Sequence, residues 1–214
     1  MEVIQNFLRI KNQISVLNSK TKLIAVSKGQ DVDKIKLLIN SGHLDFGENK
    51  VQEALLKWTD ITNSNKNINL HLIGGLQSNK AKDAFKIFNY IHSLDSEKLA
   101  RIFSDLEKND LKKIKYFVQV NIGNEHQKNG INVSHVFNFV QYCQNDLKLN
   151  ILGLMCLPPV NDSPDSYFLK LKKLNDDSCL KDLSMGMSDD FEIAIKLGST
   201  YVRVGTAIFG KRSS

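Results

Sequence analysis

The amino-acid sequence predicts an α/β protein built as a single (β/α)8 TIM barrel, with one extra helix ahead of the first strand. Three observations carry this expectation. Eight short apolar, β-branched runs alternate with amphipathic stretches along the 214 residues, the pattern of parallel strands joined by crossover helices. The leading stretch repeats Val3, Ile4, Phe7, Leu8, Ile14 and Leu17 at helical spacing. After the eighth run only residues 206–214 follow, so the surplus leading helix is placed where a terminal eighth helix would pack. An open sheet fits the same alternation, but that surplus helix favours closure.

Taken in order, the opening helix has no basic start feeding a continuous apolar run, so it is read as neither a signal peptide nor a membrane span. Strand 23–27 is followed by helix 31–41, stopped by Gly42. Strand 44–47 leads to helix 50–65, and strand 70–74 to helix 78–88. Strand 90–94 precedes helix 96–109, where Ser96 backed by Glu97 is a start signal. Strand 116–121 opens into the longest irregular stretch, 123–132, where a functional loop fits, before helix 134–145. Strand 151–156 is followed by helix 164–179, entered through Asp162, Ser163 and Pro164. Strand 183–186 leads to helix 188–197, where Ser188, Asp189 and Asp190 suit the positive end of a helix dipole and Gly198 marks the stop. Strand 201–205 closes the series. No Pro/Gly/Ser linker divides the chain, so one domain over residues 1–214 is expected.

A formal charge of +6 raises nucleic acid as a partner, but only Arg9, Arg101, Arg203 and Arg212 are arginines. The lysines scatter along helical stretches without interleaved aromatic residues, which describes a solvated surface rather than a stacking platform. Cys143, Cys156 and Cys179 are odd in number and lack metal-ligand spacing, so they are read as reduced thiols in a cytosolic protein. His43, His71, His92, His126 and His135 likewise show no paired metal spacing, and only His71 is placed near the barrel. Residues 205–212 approach a P-loop, but Arg212 stands where Ser or Thr is required.

Barrel chemistry sits at the C-terminal ends of strands, and polar residues and glycines gather there. Lys28 follows the apolar run LIAV and Ser27. An amine emerging from a buried strand into the mouth can lose its proton and form a Schiff base with an aldehyde or ketone; a merely solvated lysine is the alternative. Gly186 and Ser188 after the seventh strand, with Gly205 and Thr206 after the eighth, offer hydroxyls and backbone N–H groups where barrels bind phosphate, or simply tight turns. Arg203 alternates with Val202 and Val204, so it points into the barrel and needs a polar partner: a ring nitrogen, or an internal carboxylate such as Asp95 or Glu48.

The blocks AVSK (25–28), FGENKVQE (46–53), HLIGGLQSNK (71–80), QVNIGNEHQKNGI (119–131), GLMCLPP (153–159), LSMGMSDDFEIAIKLGS (183–199) and VRVGTAIFG (202–210) resemble the pyridoxal 5′-phosphate homeostasis protein family (YggS/PROSC). They run in order through nearly the whole chain. The resemblance implies a barrel like the N-terminal domain of alanine racemase and the cofactor pyridoxal 5′-phosphate (PLP), held as a Schiff base that makes Lys28 an N6-pyridoxal phosphate lysine. It implies phosphate binding by Ser188, Gly205 and Thr206, supported by Gly186 and Met187, and Arg203 at the pyridine nitrogen. Asn49, His71, Ser78 and Met155 correspond to pocket-wall positions. The chain departs from many members at Gly29, Gln30 and Asp31, where they have Thr-Lys-Pro, and at Gly75, where they have Pro or His.

An arginine at the ring nitrogen disfavours the pyridinium form and so makes PLP a weak electron sink. Tyr90, Tyr116, Tyr142, Tyr167 and Tyr201 fall at strand starts or in helices, so none is placed as the second acid that a racemase needs. The implied role is therefore PLP homeostasis in the cytoplasm without strong catalysis, with apo PLP-dependent enzymes as recipients and no nucleic-acid or membrane partner. The expected state is a monomer or a weak dimer. A weak amino-acid racemase is the competing reading, and a cofactor-free Schiff-base aldolase a third.

Overall fold

The computed structural model describes residues 2–125, 127–160 and 162–210. His126, Lys211 and Arg212 lie outside these described residues. The strands are β1 (Lys22–Val26), β2 (Asp45–Glu48), β3 (Asn69–Leu72), β4 (Tyr90–Leu94), β5 (Lys115–Asn121), β6 (Ile131–Asn132), β7 (Asn150–Cys156), β8 (Asp182–Ser184) and β9 (Tyr201–Val204). Every pairing is parallel, β4 pairs with β5, and β9 returns to β1 with Lys22 opposite Tyr201, so eight strands close a barrel. The two-residue β6 is an addition, pairing Ile131 with Val120 at the end of β5.

The helices are α1 (Glu2–Leu17), α2 (Val32–Asn40), α3 (Val51–Ser64), α4 (Ala81–Ile87), α5 (Glu97–Lys108), α6 (Val136–Gln141), α7 (Asp165–Asp177), α8 (Phe191–Lys196) and α9 (Thr206–Phe209). Phe7, Ile10 and Ile14 bury the apolar stripe of α1, which packs on α8, α9 and α2. The leading helix thus fills the eighth helical position together with the single turn of α9, a turn the hydrophobic pattern did not predict. Ser96 caps α5 as expected, its Oγ accepting from the Leu99 amide.

Three expected helices differ. The one placed at 78–88 opens as a 3-10 turn over Ser78–Lys80 before α4. The one placed at 134–145 is a 3-10 turn, α6 and a π-turn over Tyr142–Asp146. The one placed at 188–197 starts only at Phe191, because the Asp190 carboxylate accepts from the Met187 amide and holds residues 187–190 as a turn.

Strand alternation sorts the core into two layers. Val202 and Val204 face the helices, joining Phe46, Trp58, Phe103 and Phe168 in the outer layer. Tyr201 faces inward with Ile24, Tyr90, Phe117 and Met155, which fill the barrel itself. Each such fully buried aromatic or aliphatic side chain contributes about 1.5–3 kcal/mol. The filled interior leaves the C-terminal mouth as the place where a ligand can enter.

Candidate functional site

A cavity of about 510 Å³ occupies that mouth. Six of the expected residues line it: Lys28, Asn49, Ser188, Arg203, Gly205 and Thr206, with Met187 beside them. They come from the ends of β1, β2, β8 and β9, brought side by side because β9 pairs with both β8 and β1.

Lys28 stands two residues beyond β1 and is half-buried. The next residue, Gly29, turns the chain at φ +64°, a left-handed conformation that glycine adopts without a Cβ clash. Its N–H donates to Glu53 Oε1 at 2.6 Å. Lys57 Nζ donates to Ser27 O at 2.8 Å, to Glu48 Oε1 at 3.0 Å and to Glu53 Oε1 at 2.7 Å. Burial works against the Glu53 carboxylate, but the bonds from Lys57 and Gly29 hold it below the usual carboxylate range. The turn that carries Lys28 is thereby strapped to α3, and the departure at Gly29 is part of the strap.

Arg203 is 3% exposed. NH1 donates to Ser184 Oγ at 2.7 Å and NH2 to the Cys156 carbonyl at 3.0 Å. Among the described residues no carboxylate forms an ion pair with it: Glu48 is taken by Lys57, Trp58 and Ser27, and Asp95 bonds to Ser96. Burial pushes the guanidinium below its ordinary pKa. Five N–H donors in a fixed fork, two of them spent on neutral oxygens, suit an acceptor supplied from the cavity.

Ser188 Oγ accepts from the Ala207 amide at 3.4 Å, joining the turn after β8 to the start of α9. A Cβ on Gly205 would fall 3.2 Å from both Val26 Cβ and Val26 O, so only glycine leaves this wall open without a shift. Two hydroxyls, a tight glycine and a short helix after the last two barrel strands match the donor chemistry of a phosphate group. The residues present therefore fit PLP: an amine, a phosphate cradle and a donor-only arginine share one cavity.

The chain matches the family model described as alanine racemase, N-terminal domain, over residues 2–213. It is 35% identical over 221 residues to the pyridoxal phosphate homeostasis protein of Pasteurella multocida, covering 99% of this chain and 95% of that protein. The chain belongs to the pyridoxal phosphate homeostasis protein family. PipY of Synechococcus elongatus PCC7942, solved with PLP bound, is 31% identical with a TM-score of 0.80, covering 94% of this chain and 100% of that one. Alanine racemase from Bartonella henselae shares the fold at 16% identity and a TM-score of 0.76, with all of this chain matching 61% of that one.

Three pocket-wall positions expected from the homeostasis family lie away from the cavity wall. His71 is fully buried in the barrel interior, stacked on Tyr90 at 4.1 Å with Nε2 3.1 Å from Asp45 Oδ1. Ile73, two residues on, is the side chain that reaches the mouth. Met155 is fully buried among Ile24, Tyr90, Phe117 and Tyr201, below the cavity floor. Ser78 starts a 3-10 turn three residues beyond Gly75, the last of its loop to line the wall. Strand-end counting along the sequence does not say how many residues separate a strand position from the mouth.

Other lining residues were missed. Gln119 and Asn121 of β5 line the cavity, as do Gln127, Lys128 and Asn129. Their signals in the sequence are the family block 119–131, the polar end of the fifth strand at Asn121 and the irregular stretch 123–132. Tyr90 and Tyr201 accept at their hydroxyls from Lys115 and Lys22 at 3.1 Å, at the N-terminal foot of the barrel. No tyrosine among the described residues lines the cavity. The cysteines are free thiols, and no helix among the described residues is long and apolar enough to cross a membrane.

Proposed function

We propose that this chain holds PLP in the mouth cavity, with Lys28 as the covalently modified residue, and serves intracellular vitamin B6 homeostasis rather than catalysis. The observation that carries the reading is the joint placement of Lys28, Arg203, Ser188 and Thr206 around one cavity. When bound, PLP supplies a reactive aldehyde and an electron-withdrawing ring. Lys28 would hold the aldehyde end, Ser188, Gly205 and Thr206 the phosphate, and Arg203 the ring nitrogen, with Asn49 on the wall. The presence of PLP in PipY supports the assignment.

Arg203 donates and cannot accept a proton, so it keeps the ring nitrogen unprotonated and the sink weak. The relatives' designation as homeostasis proteins favours a carrier. In this reading residues 1–214 act as one PLP-binding barrel domain in the cytoplasm, and apo PLP-dependent enzymes receive the cofactor. Purified protein given PLP should develop a visible absorbance band. Borohydride should then fix the pyridoxyl mass on the peptide containing Lys28. Loss of both in Lys28→Ala is expected; an unchanged spectrum in that variant would overturn the site.

The racemase-like fold favours one competing reading, a weak amino-acid racemase. Incubating single enantiomers in heavy water decides between them. Exchange of the α-proton no faster than with free PLP supports the carrier, and sustained faster exchange supports the enzyme.

A further inference from the structure

Below the cavity, the barrel interior carries a row of polar side chains that neither the phosphate cradle nor Lys28 uses. Asp45 Oδ1 lies 3.1 Å from His71 Nε2, His71 Nδ1 lies 3.0 Å from His92 Nε2, and His92 Nδ1 lies 2.8 Å from Ser184 Oγ. Arg203 NH1 then reaches Ser184 Oγ at 2.7 Å. His71, His92 and Ser184 are fully buried, and Arg203 is nearly so.

With both rings neutral, the acceptor-only Asp45 and the donor-only Arg203 fix the direction of every bond. The Asp45 carboxylate only accepts, so His71 donates from Nε2 and, as a neutral ring, accepts at Nδ1. His92 must then donate from Nε2 and accept at Nδ1, which leaves the Ser184 hydroxyl as the donor to it. Ser184 Oγ still has a lone pair, and Arg203, which can only donate, occupies it. Neutral rings are then both Nε2-protonated tautomers, and each group presents its acceptor toward Arg203 and its donor toward Asp45.

We propose that Ser184, His92, His71 and Asp45 form a one-way hydrogen-bond relay that joins Arg203 to the Asp45 carboxylate across the barrel and orients the guanidinium toward the cavity. Ser184 and His92 are thus positioning residues, acting through Arg203. Aligned dipoles stabilise the cation at one end and the anion at the other, and linked bonds polarise one another in a low-dielectric interior. The surroundings favour the neutral rings: burial, His71 and Arg203 keep His92 well below its ordinary pKa. Burial, opposed by Asp45 and helped by Lys22 and Lys115 at the barrel foot, also lowers the pKa of His71. Tyr90 and Tyr201 are the other ionisable side chains against these rings.

The link to ligand binding rests on the PLP reading above, whereas the relay itself is tested without cofactor. Nitrogen-15 NMR of the histidine rings in cofactor-free protein at neutral pH should place the proton of both His71 and His92 on Nε2. A charged ring, or the proton on Nδ1 of His92, overturns the relay. In Ser184→Ala the His92 Nδ1 resonance should shift as its hydrogen bond is lost, and PLP should bind at least about tenfold more weakly, as expected for losing a hydrogen bond to a charged group. Ser184→Thr should restore both, and Asp45→Asn should weaken PLP while leaving an acceptor in place. Unchanged His92 resonances in Ser184→Ala overturn the relay, and unchanged PLP affinity there overturns its link to the cavity. If wild-type protein takes up no PLP, the functional reading fails while the ring tautomers still decide the relay.

Discussion

Lys57 Nζ lies 3.0 Å from Glu48 Oε1, with the lysine side chain 10% exposed and the glutamate fully buried. The same ammonium holds the carbonyl of Ser27, directly before Lys28. A buried ion pair thus stands behind the cavity and ties α3 to the loop that presents the amine.

Lys57→Met should leave Glu48 as an uncompensated buried charge and lower stability by about 3–5 kcal/mol. Urea unfolding measures this. The double variant Lys57→Met with Glu48→Gln should lose much less than the sum of the single losses, because no buried charge is stranded; additive losses would argue against the pair.

Gly186→Ala should damage the phosphate side of the cavity. Gly186 has φ +93°, and a Cβ there would come within 2.6 Å of Ala194 Cβ. Strain of this kind costs about 1–3 kcal/mol. The Gly186 carbonyl also accepts from the Arg203 amide at 2.9 Å, so displacement reaches Arg203. Equilibrium unfolding should report the lost stability, and a PLP titration a weaker affinity.

His43 sets an acid limit. Burial lowers its pKa from 6.5 to about 4, and its ring lies edge-on between Phe7 and Phe46. The unfolded chain binds the proton more readily. The contribution is therefore complete above pH 6.5 and is lost as pH falls toward 4, to a maximum of about 3 kcal/mol. Urea midpoints measured across that window should fall with pH, and His43→Phe should make the fall shallower. His71 and His92 act in the same direction.

The three thiols should separate by reactivity. Cys179 is exposed, whereas Cys143 and Cys156 are buried and burial pushes each thiol up to about 12. A thiol reagent should label one cysteine rapidly in native protein and three after unfolding. Cys179→Ser should remove the rapid phase.

Local pattern made most of the barrel legible. Strands 90–94 and 116–121 fall on β4 and β5 almost residue for residue, because apolar β-branched runs bounded by turn residues have few other uses. The strand β6 escaped because two residues carry no periodicity. The start of α8 was placed too early because Ser188 and Asp190 are both plausible starters, and only the folded turn shows Asp190 bonding to Met187.

The cavity divides along the same line. Lys28, Ser188, Gly205 and Thr206 stand beyond strand ends, where sequence position alone implies the mouth. Arg203, His71 and Met155 are each the last but one residue of a strand, and which of them reaches the mouth depends on the barrel's stagger, which no single strand records.

The sequence by itself determined the alternating elements, the leading helix and the family motifs, since these depend on hydrophobic period and residue identity within short windows. Only the tertiary structure decided what lies inside the barrel. His71, His92, Ser184 and Arg203 come from four strands, and their spacing along the chain says nothing of their contact. Closure sets them within hydrogen-bond reach of one another, and burial then obliges each polar atom to find its partner there.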